Sequence, residues 1–161
     1  MIRKFNILFL TFFKIGNIKF APGTMASIST CLLFLLLIKI FSFFILFLLT
    51  LLIFFYSLFA INKSAEIFSS SDPQEIVIDE VVGQMIPLLA IPIYETLFLF
   101  PKEYYCITCF LLFRFFDILK PFPISYVDKN SEGALGIMLD DILAGIFTTF
   151  LIILFSFFLG G

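Results

Sequence analysis

ALGIMLDDILAGI, residues 134–146, is the stretch on which the reading of this chain turns. Two adjacent carboxylates, Asp140 and Asp141, stand among apolar neighbours, and the chain runs straight on into Phe147–Leu159, a segment dominated by Phe, Leu and Ile. Such a run belongs in hydrocarbon. There an ionised side chain is costly unless it faces protein, pairs with opposite charge or binds something. At helical spacing, Asp141, Ala144, Gly145 and Thr148 form a small and polar flank, suited to packing against other helices rather than lipid.

Composition extends this reading to the whole chain. Of 161 residues, 61% are hydrophobic and 14% charged, and the mean hydropathy is +1.15. Soluble domains run nearer about 45–50% apolar and about 25% charged. The sequence therefore predicts one integral membrane domain over residues 1–161. It is all-α, a multi-pass bundle of about five apolar helices plus a short N-terminal helix. The five segments are Met25–Ile38, Ser42–Ile61, Gln84–Phe100, Tyr104–Phe116 and Ile142–Leu159. Tight turns are expected at Lys39 and at Pro101-Lys102-Glu103, and Pro87 and Pro92 are expected to kink the third helix. MIRKFNILFLTFFKI, residues 1–15, has the basic start and apolar core of a signal peptide. Lys14 and Lys19 follow it and no small-x-small site does, so it reads as an amphipathic or interfacial helix.

Other features exclude function classes. A net charge of −2 suggests no nucleic-acid partner. The absence of His removes His-based catalysis and His-ligated zinc. Cys31, Cys106 and Cys109 lie in apolar runs without metal-ligand spacing and read as small buried residues.

Charge is distributed unevenly. If each tight turn lies on one membrane face and the longer polar loops on the other, Arg3, Lys4, Lys14, Lys19, Lys63, Arg114, Lys120 and Lys129 share the loop face, with Lys39 and Lys102 opposite. That bias places the loop face in the cytoplasm. All the acids except Glu95 and Glu103 fall on the same side. Acids obey no topology rule, so their gathering calls for a chemical reason.

Four polar islands meet on that face. GNIKFAPGTMAS, residues 16–27, contains a Pro22-Gly23 turn, with Thr24 expected to cap the next helix and its free N–H groups able to receive an anion. SSSDPQEIVIDEVVGQ, residues 69–84, offers Asp72-Pro73 as a helix start with Glu75 as capping partner, then sends Asp79 and Glu80 into an apolar helix beside Gly83. FRFFDILKPFPI, residues 113–124, spaces Arg114, Asp117 and Lys120 along one flank before Pro121 and Pro123 end the helix. The opening stretch is the fourth, with Gly133 and Gly136 expected to loosen its approach. A buried anionic pair with further acids nearby suits a hard divalent cation, and Mg²⁺ typically takes one or two carboxylates plus water and substrate phosphate.

Carboxylates with Arg and Lys at a lipid–water boundary match a phosphorylated lipid headgroup. Rival phosphate machineries are missing. The chain has no P-loop and no Asp-x-Asp pair, and it lacks the signature of CDP-alcohol phosphotransferases. Cys109 and Arg114 frame only Phe-Leu-Leu-Phe, no phosphate cradle. Metal-assisted hydrolysis by acids remains. A small ion or proton transporter would spread its acids through the membrane depth, and a non-catalytic subunit would use them for assembly; neither accounts for four islands in this order.

Together the islands resemble the phosphatidylglycerophosphatase A family. The resemblance is carried by Pro22-Gly23-Thr24, by Ile76-Val77-x-Asp79-Glu80-x-x-Gly83, by Phe113-Arg114-x-x-Asp117-x-x-Lys120-Pro121-x-Pro123-Ile124, and by Gly136-Ile137-Met138-x-Asp140-Asp141-x-x-Ala144-Gly145. Ala26 and Ala134 stand where many relatives have Gly, and Phe122 where Trp is common. The resemblance implies a Mg²⁺-dependent enzyme of the bacterial inner membrane, acting from the cytoplasmic face on a phosphorylated glycerophospholipid, phosphatidylglycerophosphate, to give phosphatidylglycerol. The residues expected to serve metal and water are Asp79, Glu80, Asp140 and Asp141. Asp117 is a further ligand or base, and Arg114, Lys120 and Thr24 are expected on the phosphate. Spacing does not say which acid is ligand and which is base.

Overall fold

The computed structural model describes residues 2–64, 75–92 and 101–159. Among them are seven α-helices and no strand: α1 (Ile2–Leu10), α2 (Pro22–Leu37), α3 (Phe43–Ser64), α4 (Ile78–Leu88), α5 (Lys102–Leu119), α6 (Ile124–Asn130) and α7 (Gly133–Leu159), with a 3₁₀ turn at Ile15–Asn17. The all-α expectation holds. The expectation of five spans is cut back: two helices, Phe43–Ser64 and Gly133–Phe155, are long and apolar enough to cross a membrane. Of the others, α2 is shorter, α4 stops at Leu88, and α5 carries Lys102, Glu103, Arg114 and Asp117.

α4 is the axis of the bundle. It packs against α2, α3, α5 and α7, and almost every one of its residues is buried. Its closest approach is to α7, through glycine. A Cβ on Gly83 would lie 2.7 Å from the Asp141 carbonyl oxygen and 2.8 Å from the Phe113 ring, and a Cβ on Gly145 would overlap the Gly83 carbonyl oxygen. That carbonyl has no helical donor, because the residue four positions on is Pro87.

Polarity is arranged inside out. Ser27, Thr30, Thr50, Ser57, Gln84 and Thr148 are buried, while Phe44, Leu48, Leu52, Phe55 and Phe59 form an exposed stripe along α3. Exposed stripes also run along α5 (Ile107, Leu111, Phe115, Ile118) and α2 (Ile28, Leu32, Leu36). The hydroxyls of Ser27, Thr30, Thr50, Ser57 and Thr148 satisfy themselves on their own helices, as Thr30 does by donating to the Ala26 carbonyl at 2.8 Å. An apolar exterior of this extent fits lipid, not water.

The chain reverses twice to bring the islands together. After α1, Phe12, Phe13 and Lys14 take left-handed backbone conformations. The Val77 N–H then donates to the Leu10 carbonyl at 3.0 Å, and Gly16 lies so close to the Glu75 carbonyl that a Cβ would overlap it. α1 itself packs on α3, where the Tyr56 hydroxyl donates to Asn6 Oδ1 at 2.9 Å.

Several local expectations are corrected. Thr24 is not the cap of α2: the helix begins earlier, at Pro22, whose fixed φ suits a first helical position, and left-handed Ala21 is its N-cap. Pro87 lies inside α4, which closes one residue later at Leu88; after a turn at Leu89 and Ala90 helical backbone resumes at Ile91 and Pro92, where the described stretch ends. Asp72 and Pro73, the proposed helix start, lie outside the described residues, as does Glu95; α4 begins at Ile78 with Val77 as N-cap. Gly136 does not loosen the approach to α7, because a Cβ there would sit 2.5 Å from the Ser131 carbonyl oxygen. The turn expected at Lys39 is present. At the turn expected over Pro101-Lys102-Glu103, Pro101 is instead the N-cap of α5 and Lys102 and Glu103 open that helix. α5 ends at Leu119, ahead of Pro121 and Pro123, as expected, and the three cysteines are free and buried.

Gly83→Val should wedge α4 from α7. The expected outcome is about 1–3 kcal/mol of lost stability, read as a lower thermal midpoint in detergent, whereas Ile146→Ala on the exposed face of α7 should leave it nearly unchanged.

Candidate metal and phosphate site

Three helix N-termini (α2, α4, α7) and two C-termini (α3, α5) close around one cavity of about 1040 Å³. The four islands supply most of its lining, joined by Ile61 and Asn62 from the end of α3 and by Asp128, Ser131 and Glu132. The ends of both long apolar helices therefore border the same cavity, which sets it at one end of the spanning pair.

On α4, Asp79 and Glu80 occupy the first turn, where the helix dipole favours negative charge. α7 begins nine residues earlier than the apolar run starting at Ile142, so Asp140 and Asp141 lie in its second and third turns, not at its entrance. Asp141 is one turn from Gly145 and Asp79 one turn from Gly83, so the glycine crossing carries the two acids to each other. One carboxylate oxygen each from Asp79, Glu80 and Asp141 lies within 4.8 Å of the other two. Asp79 Oδ1, Glu80 Oε2 and Asp141 Oδ1 are closed off from solvent and lack any hydrogen-bond partner.

Burial, and then the neighbouring Glu80 charge, push the Asp79 carboxyl well above the usual carboxylate range. Burial likewise raises Glu80, against a hydrogen bond from Asp79 that works the other way. Three such oxygens without donors are an expensive arrangement in a protein interior. A divalent cation resolves it, and an all-oxygen carboxylate set is the donor chemistry of Mg²⁺, Mn²⁺ or Ca²⁺. The residues present fit such an ion.

Asp140 turns elsewhere. A residue on a helix points about 100° away from its neighbour, and Asp140 Oδ2 accepts a hydrogen bond from Lys120 Nζ at 2.7 Å. Lys120 also pairs with Asp128, a residue of α6. Lys120 is not on the flank of α5: it is the left-handed C-cap of that helix, with its side chain directed across to α6 and α7. Burial alone would lower the Lys120 ammonium, but the hydrogen bonds and charges of Asp128 and Asp140 outweigh it and hold it above the usual lysine range. Asp117 stands outside the acid trio and pairs with Arg114. Gly23, in the Pro-Gly-Thr turn, lies against both Glu80 and Arg114: a Cβ there would overlap Glu80 Oε1 and come within 3.3 Å of Arg114 Nη1. Thr24 lines the cavity beside it.

All eight residues singled out from the sequence thus border the same cavity: seven are divided between an acid trio and two cation–acid clusters, and Thr24 stands apart from them. Sequence reasoning did not single out Asp128. Its only signal was the Pro121-Phe122-Pro123 turn, which folds α6 back beneath Lys120.

The fold and site define an all-helical protein with two helices long and apolar enough to cross a membrane, and with a trio of acids able to hold a metal ion in one cavity with Arg114 and Lys120. The family model for phosphatidylglycerophosphatase A matches residues 8–156, and the chain belongs to that family. A Haemophilus influenzae protein named phosphatidylglycerophosphatase A is 36% identical over 140 residues, which cover 87% of this chain and 82% of that protein. A Bacteroides thetaiotaomicron protein, named as a candidate phosphatidylinositol-3-phosphatase, is 34% identical over 150 residues, 91% of this chain and 90% of the relative. The Escherichia coli phosphatidylglycerophosphatase A is 35% identical over 85 residues, 53% of this chain and 45% of its own length. No solved structure matches.

Asp141→Asn should weaken Mn²⁺ binding by at least about tenfold, since removing even an outer partner of a metal ligand costs about that much. Titration of the purified protein followed by Mn²⁺ electron paramagnetic resonance measures it, with no turnover required.

Proposed function

We propose that this protein is a metal-dependent lipid phosphatase. It hydrolyses the terminal phosphate monoester of phosphatidylglycerophosphate to phosphatidylglycerol at the cytoplasmic face of a bacterial inner membrane. The observation that carries the reading is the orphaned carboxylate trio of Asp79, Glu80 and Asp141, in one cavity with Arg114 and Lys120. Family membership and the names of two relatives support the substrate. The charge asymmetry of the loops supports the orientation. The exposed apolar stripes on α2 and α5 support further membrane-embedded segments beside α3 and α7. No described feature favours an ion or proton transporter.

Asp79, Glu80 and Asp141 would hold the cation, with Mg²⁺ our choice among the hard divalent ions. When bound, it supplies positive charge against the phosphoryl oxygens as the ester bond breaks. Arg114 and Lys120 bind the remaining phosphoryl oxygens, Arg114 with its fork and Lys120 with a single N–H. The first turn of α2, including Thr24, presents free backbone N–H groups to the same anion. Asp117 keeps the guanidinium directed into the cavity. We assign it also the proton of the attacking water, as a cavity carboxylate outside the trio. Asp140 then acts through Lys120 rather than as a ligand. Closure of the cavity by apolar helices strengthens each of these charge interactions relative to water.

Purified protein should release inorganic phosphate from phosphatidylglycerophosphate with Mg²⁺ and none with EDTA. Arg114→Ala should lower the rate about 10²–10³-fold, as removing one charge-stabilising donor does. A phosphatidylinositol 3-phosphate substrate run in parallel tests the headgroup: faster release from it would overturn the assigned substrate while keeping the chemistry.

A further inference from the structure

Lys120 is held more firmly than a phosphate-binding lysine requires. Its backbone is the left-handed cap of α5 (φ 42, ψ 58), its N–H donates to the Phe116 carbonyl at 2.8 Å, and Pro121 follows immediately. Its side chain is then taken by carboxylates from two further helices, Asp128 on α6 and Asp140 on α7. One acid would balance the charge. The second adds negative charge to a cavity meant for an anion, so its presence needs a reason beyond neutralisation.

Stability does not supply that reason. The Asp128 side chain is 34% exposed and that of Lys120 29%, and ion pairs shared with solvent contribute little. Geometry does supply it. An ammonium on a four-carbon stem has three N–H groups and no preferred direction. With one carboxylate it still swings about that contact. With two, from different helices, its position is fixed and one N–H remains.

We propose that Asp128 is a positioning residue for the substrate phosphate, fixing Lys120 jointly with Asp140 so that the remaining N–H meets a phosphoryl oxygen. This rests on the phosphatase reading above. Asp128 touches neither the acid trio nor the reacting atoms; it acts through Lys120.

The test uses the full chain purified in detergent, as wild type, Asp128→Asn and Asp128→Glu. Four quantities are read: the kcat and KM for phosphatidylglycerophosphate, the inhibition or binding constant of inorganic phosphate, Mn²⁺ affinity, and the thermal midpoint. In Asp128→Asn, KM and the phosphate constant should rise about tenfold, the loss of one charged hydrogen bond, with kcat changed less than about threefold. Mn²⁺ affinity and thermal midpoint should stay at wild-type values, and Asp128→Glu should recover most of the loss. Unchanged phosphate affinity in Asp128→Asn would overturn the proposal. So would a loss matched by weaker Mn²⁺ binding, which would make Asp128 a ligand, or by a lower thermal midpoint, which would make it a structural residue. A wild-type protein that turns over no lipid phosphate would sink the phosphatase reading instead, and phosphate binding would still report on Asp128.

Discussion

The close crossing of α4 and α7 is the contact on which the site depends. Helix axes usually lie about 8–10 Å apart, set by the side chains between them. At Gly83 and Gly145 there is no side chain, and the backbone of each helix packs on that of the other. Carboxylates one turn away on each helix, Asp79 and Asp141, are short side chains, and only such an approach lets them share an ion. Pro87 contributes by withholding the donor that would otherwise occupy the Gly83 carbonyl. In lipid, where apolar side chains gain nothing by leaving the solvent, this backbone-to-backbone packing is a main source of helix association.

The charges are sorted around that crossing by what each can reach. Each of the three acids nearest the helix contact has one oxygen without a donor. The acids one step further out each have a cation: Asp117 has Arg114, and Asp128 and Asp140 have Lys120. The trio is therefore short of positive charge and the outer ring is not. A divalent cation would offset two of the trio's three negative charges, and the cation and a phosphate dianion would each make the other's binding more favourable. The N-termini of α2 and α4 add partial positive charge at the same place.

The location of the cavity decides what class of phosphate ester suits it. It lies at the ends of the two long apolar helices, so a substrate anchored in the bilayer would present its headgroup there without leaving the membrane. The relatives carry names of two lipid phosphatases that share the phosphate monoester and differ in the headgroup. On the function proposed above, the trio and cations would act on the shared part, and discrimination would fall to the remaining wall of the cavity, including Asn62, Lys19 and Glu132.

Fold class and most of the site were legible in the sequence because they follow from local rules. Hydropathy alone marks a chain that must be helical in lipid, since only internal hydrogen bonding satisfies its backbone there. The same reasoning finds Asp79, Glu80, Arg114, Asp117, Lys120, Asp140 and Asp141, because charge within an apolar run is costly enough to need a purpose. Helix limits were less legible: Pro22 starts α2 ahead of Thr24, and α7 reaches back past Asp141 to Gly133, since neither limit coincides with a change in hydropathy. What the sequence did not contain was the partition of the acids. Adjacent in the chain, Asp140 and Asp141 look equivalent, yet the helix turns one to Lys120 and the other to Asp79 and Glu80. Asp128 joins the site only because a turn after α5 folds it back. Those assignments depend on which helix faces which, and that was decided by tertiary packing around two glycines.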